Sequence, residues 1–84
     1  YQNYPNPFNP NTLIEFVLTA NSQISLTVFD VLGREVATVI ENTEYTTGRH
    51  SVTFSSESLA SGAYYYVLNT GAGAMLTKKM LLVK

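Results

Sequence analysis

Apolar and polar residues trade places at every step through several stretches of this chain, and that period of two constrains its fold more than any other feature. In TLIEFVLT, Ile14, Phe16 and Leu18 share one face, and in SQISLTVF, Ile24, Leu26 and Val28 do the same. REVATVI aligns Val36 with Thr38 and Ile40, and HSVTF aligns His50 with Val52 and Phe54. AYYYVL sets Tyr64, Tyr66 and Leu68 opposite Tyr65 and Val67. The last segment, AMLTKKMLLVK, puts Met75, Thr77, Lys79, Leu81 and Val83 on one face and Leu76, Lys78, Met80 and Leu82 on the other. Both faces are partly apolar, which marks a strand that meets protein on two sides. No window holds apolar residues at i, i+3, i+4 and i+7 over ten or more positions, and β-branched and aromatic residues dominate, so helix content should be near zero.

Turn chemistry joins these strands into hairpins. In FDVLGREV, Asp30 is placed to accept backbone N–H bonds while Gly33 supplies the positive φ of a type I turn closed by a bulge. Gly48 after NTEYTT and the GAGA run from Gly71 do similar work. Strands recurring about every 10 residues between Gly, Asn and Ser clusters predict an all-β fold, an antiparallel immunoglobulin-like sandwich of about seven strands. A small open barrel is the alternative. Phe16, Leu26, Val28, Phe54, Tyr64, Tyr66 and Leu68 are the expected core.

With 84 residues the chain makes one small domain, residues 1–84, which buries roughly 60% of its unfolded surface. A formal charge of -1 with 13% charged residues provides no basic field for nucleic acid. Cysteine is absent, so disulfides and thiolate zinc sites are excluded while the compartment stays open. AYYYVL and MLLV fall far short of the ~20 apolar residues that span a bilayer, and no basic-then-apolar leader opens the chain, so no membrane insertion is expected. A start at Tyr1 rather than Met suggests a module of a longer precursor.

Chemistry is hard to find. His50 is the only histidine, and without cysteine or a nearby carboxylate cluster it reads as structural. Glu15, Asp30, Glu35, Glu41, Glu44 and Glu57 are scattered, without the alternating spacing of a calcium loop. Gly71 and Gly73 form a G-x-G with no helix after it, hence a turn rather than a phosphate cradle. The serines of FSSESLASG lack a GxSxG elbow, and Ser61 and Gly62 read as the start of a strand. Among the tyrosines, Tyr64 and Tyr66 read as core with hydroxyls at its rim, while Tyr65 covers the outer face. No catalytic residue, cofactor or metal ligand is expected.

Taken in order, QNYPNPFNP, DVLGREV, GRHSVTF, LASGAYYYVL and TKKMLLVK resemble the type A C-terminal sorting domain of the bacterial type IX secretion system. The resemblance covers roughly the whole chain, and it is more distantly similar to the immunoglobulin-like domain of flagellar hook-capping proteins. It implies a non-catalytic export label, carried behind an upstream passenger domain and read by the outer-membrane secretion machinery. It also implies passage through the periplasm and a secreted or cell-surface location. The recognition residues that it implies are Gly62, Tyr64, Lys78, Lys79, Met80, Leu81, Leu82, Val83 and Lys84. Glu15, Ala20 and Phe54 stand where many relatives carry Arg, Pro and Trp, departures that touch packing more than the terminal signal.

Two readings of the residues stand beside this resemblance. Lys78 and Lys79 interrupt an otherwise apolar strand, as charges do on an edge strand protected from unwanted pairing, and a receptor can use the same edge by adding a strand. The opening YQNYPNPFNP has three prolines and cannot be a central strand, so residues 1–11 read as an extended strap that Tyr4, Pro5, Pro7, Phe8 and Pro10 stiffen and anchor. Two other functions use the same parts. One is a fibre subunit self-associating through edge strands, and the other is a carbohydrate-binding module built on Tyr65.

Overall fold

The computed structural model describes residues 11–71 and 73–82. The strap anchors Tyr4, Pro5, Pro7, Phe8 and Pro10 lie outside these residues, as do Val83 and Lys84, while Asn11 already belongs to the first strand. Six strands are described: β1 (Asn11–Leu18), β2 (Ser22–Asp30), β3 (Glu35–Tyr45), β4 (Gly48–Ser55), β5 (Gly62–Thr70) and β6 (Met75–Leu82). That is one fewer than the expected seven or so, and no helix occurs among the described residues.

The strands form two antiparallel sheets, β1-β4 and β3-β2-β5-β6, so the fold is a sandwich rather than an open barrel. The chain changes sheet between β1 and β2, between β3 and β4, and between β4 and β5, while the two hairpins stay within the larger sheet. This is the strand order of an immunoglobulin-type sandwich. A second mark of that fold lies at the start of β5, where the buried Tyr64 donates its hydroxyl to the Ala60 carbonyl at 2.8 Å. Such a tyrosine corner pins the connection between the sheets to the strand that follows it.

Alternation decides the core. Ile14, Phe16 and Leu18 of β1 face Ile24, Leu26 and Val28 of β2 across the sandwich, joined by Ile40, Phe54, Tyr64, Leu68 and Leu82. Leu26 and Val28 are wholly buried, each contributing about 1.5–3 kcal/mol relative to an exposed side chain. Tyr66 packs against this cluster without being buried itself. All seven expected core residues therefore lie in or on it. His50 does as its structural reading requires: Nε2 lies 2.7 Å from the Thr46 carbonyl, and its ring packs 4.9 Å from Tyr45 and 5.5 Å from Phe16, centre to centre.

One expectation fails. Val36, Thr38 and Ile40 do not share a face, because β3 slips its register against β2 at three places. Leu26 pairs with Ile40 but Thr27 pairs with Thr38, which leaves Val39 as an extra residue, and Val36 is extra in the same way. Each bulge inverts the alternation. Thr38 is therefore exposed, while Val36, Ala37 and Val39 all pack against the core.

Candidate functional site

The candidate site grows from the β5–β6 hairpin. Thr70 and Ala74 close it, with the Thr70 N–H donating to the Ala74 carbonyl at 2.9 Å and the Gly73 N–H donating to the Thr70 carbonyl at 3.0 Å. Gly73 sits at φ 94°, where an L side chain would be strained. From there β6 runs beside β5 in unbroken register, from Asn69↔Met75 to Gly62↔Leu82.

That register brings the two halves of the sequence-read site together. Tyr64 lies opposite Met80 and Gly62 opposite Leu82, so the SGAY segment and the last strand are direct neighbours. Their environments differ. Tyr64 and Leu82 are core residues, at 8% and 4% exposure, and Met80 is half-buried. Lys78 and Lys79 are exposed, and Leu81 is 60% exposed. Of the described residues singled out, the ones that offer a surface are thus Gly62, Lys78, Lys79 and Leu81.

Facing follows from pairing. Lys78 lies opposite Tyr66, whose ring packs toward the core, and Lys79 lies opposite Tyr65 on the outer face. The lysines therefore point to opposite sides of the sheet. The two-stranded sheet is too narrow to cover β6, so even the core-side residue Leu76 stays 44% exposed. Met75 is exposed too, and beside it a shallow apolar cleft of about 240 Å³ is lined by Val17, Leu18, Leu68, Met75 and Leu76. Sequence reading left Met75 and Leu76 out of the site. The signal was present in the doubly apolar pattern of β6, but the uncovered face appears only once the width of the opposing sheet is known.

At the same end as Gly62 lies the β2–β3 turn, built as the sequence suggested. Asp30 Oδ1 accepts from the N–H groups of Leu32 and Arg34 at 2.9 Å each, Arg34 Nε donates to Oδ2 at 2.8 Å, and Gly33 takes φ 83°. The Arg34 backbone N–H, followed by the guanidinium and the Leu32 N–H, holds the Asp30 carboxyl below its ordinary pKa. On β5, burial pushes the Tyr66 phenol above its usual value. Tyr65 lies beside Phe29 on the outer face, the one place among the described residues where an exposed ring has an aromatic neighbour across a strand pair. Among the described residues no three of His, Asp and Glu come together as a metal site, and no helix is long and apolar enough to cross a membrane.

A family model described as the secretion system C-terminal sorting domain covers residues 2–84. No curated protein and no solved structure matches the chain.

Proposed function

The chain belongs to the family of secretion system C-terminal sorting domains of type IX secretion, and we propose that it acts as a non-catalytic label whose β6 edge the export machinery reads. Membership makes the parent protein a secreted or cell-surface one and gives the domain two partners, the secretion machinery and a passenger. In this reading the passenger crosses the periplasm before the outer-membrane apparatus takes it up. Gly62, Lys78, Lys79 and Leu81 supply contacts, while Tyr64, Met80 and Leu82 hold the edge in place, with Val83 and Lys84 continuing the label.

The observation that carries the proposal is the state of the β6 edge. It is eight residues long, regular, partly apolar and without a partner strand on its far side among the described residues. A strand in that state is a template for strand addition, in which backbone hydrogen bonds supply affinity and alternate side chains supply selectivity.

The test is export. Fused behind a periplasmic reporter in a host with a type IX system, residues 1–84 are expected to carry the reporter outside, and removal of residues 78–84 to leave it in the periplasm. Equal export of the shortened fusion would overturn the proposal. Because the deletion also removes the buried Leu82, the full-length Leu81→Ser variant is the companion, since it alters the exposed edge while leaving the core untouched.

A further inference from the structure

β6 carries a cation toward each face of the sheet at its centre. Lys78 and Lys79 are adjacent, exposed and on opposite sides, and neither pairs with a carboxylate among the described residues, where the ion pair seen is Arg34 with Asp30. Exposed aliphatic side chains flank them, Met75 and Leu76 on one side and Leu81 on the other. From this arrangement we infer that β6 is built to accept a strand carrying two adjacent acidic residues between aliphatic ones, and to refuse a second copy of itself. The inference rests on the reading of β6 as the recognised edge and adds the chemistry of what docks there.

The geometry is that of any β pair. A residue on an added strand points to the same face as the residue directly opposite it, and neighbours along a strand point to opposite faces. A partner that complements both lysines therefore needs two consecutive acids, one for each face, whether it runs parallel or antiparallel. Two copies of this chain joined edge to edge by a two-fold axis must keep the faces continuous. Only registers in which the paired residue numbers share parity satisfy that condition. The two longest antiparallel ones set Lys78 against Lys78 of the other copy or Lys79 against Lys79 of the other copy, and like charges directly opposite are destabilising. One pair of side chains thus rejects self-pairing and selects an acidic visitor.

A charge-inverted copy of the domain serves as the probe. In Lys78→Glu/Lys79→Glu the same strand presents two adjacent acids, of which the shared-parity registers set one directly opposite its lysine and the other on the diagonal from its own, and exposed positions leave the fold intact, as unfolding midpoints will verify. Wild-type chain and variant, each alone, are expected to sediment as monomers. Mixed in equal amounts they are expected to associate about tenfold more tightly at ~0.05 M salt than either with itself, with the advantage lost at ~0.5 M. Exchange of β6 amides should slow in the mixture alone. The neutral Lys78→Thr/Lys79→Thr copy is the control for strand addition without charge, and it should bind wild type less tightly than the acidic copy does. If the mixture associates no better than its components, or the neutral copy binds as well as the acidic one, the inference is wrong. Neither result depends on export, so its failure is separable from failure of the sorting assignment.

Discussion

Along β3 the pairing with β2 slips three times, whereas along β6 eight consecutive pairs with β5 hold without a break. These are the two outer strands of one sheet, and they face the same hazard, a row of unpaired backbone groups open to strangers. β3 is blunted by its bulges, by exposed Glu35, Glu41 and Glu44, and by Asn42, which takes φ 47° and gives its N–H to Ser25 Oγ at 3.1 Å. β6 keeps a straight ladder and relies on two lysines. Protection alone does not account for two edges treated so differently, and the difference supports the proposal that β6 is kept straight for a partner.

The comparison can be broken most severely at the tip of β6. Leu82 is buried and its neighbour Leu81 is not, so Leu82→Ala is expected to cost about 2–5 kcal/mol in denaturant unfolding, while Leu81→Ala should stay within about 0.5 kcal/mol. Equal losses would mean that β6 is not anchored through one face as described. A smaller effect is expected on the other edge. Asn42→Val places a β-branched residue in the left-handed region and should cost about 1–2 kcal/mol, whereas Asn42→Gly should be nearly neutral. Equal stability of both variants would argue against the bulge there.

The turn that launches β3 gives a test with a sign. Asp30 has a folded pKa below its ordinary value, so its contribution is present above the usual carboxylate pKa of about 3.9 and is lost as pH falls through the folded value. Asp30→Asn should therefore lower the urea midpoint at pH 7 and lose that deficit near pH 2. A deficit unchanged by pH would mean that the charge plays no part. Smallest of all should be the stability change in Lys78→Glu/Lys79→Glu, within about 0.5 kcal/mol, because exposed charges on a strand contribute little. Export of a fused reporter should nonetheless fall in that variant, which separates recognition from folding. Retained export would remove charge from the account of how the edge is read.

Most of this architecture was legible in the sequence, and the part that was not has one cause. Period two placed Ile14, Phe16 and Leu18, then Ile24, Leu26 and Val28, and later Phe54, Tyr64 and Leu68 on the correct faces, because in those strands each residue inverts the direction of the last. In β3 the rule breaks at Val36 and Val39, since a bulge is chosen by packing across the pair and leaves no trace in the alternation of one strand. The turn at Asp30 was readable because its chemistry is local, a carboxylate beside the N–H groups it caps. At the candidate site, sequence pointed to the last strand but not to which of its residues offer a surface. Tyr64 is spent on its bond to Ala60, and Leu76 is left uncovered, for reasons that lie in other strands.

The order in which the sheet is knit carries a consequence in time. Joining β2 to β5 brings Ile24 to Thr70, and joining β1 to β4 brings Asn11 to Ser55, so both closures bridge up to about half of the chain and belong to the slow class of folding events. The β5–β6 hairpin is local and able to form early, yet a two-stranded hairpin alone is marginal in water. A persistent, straight β6 therefore exists only after the distant strands have met. A receptor that waits for this edge would be inspecting the finished state of the domain, and a half-folded copy, lacking the edge, would be passed over without any separate proofreading step.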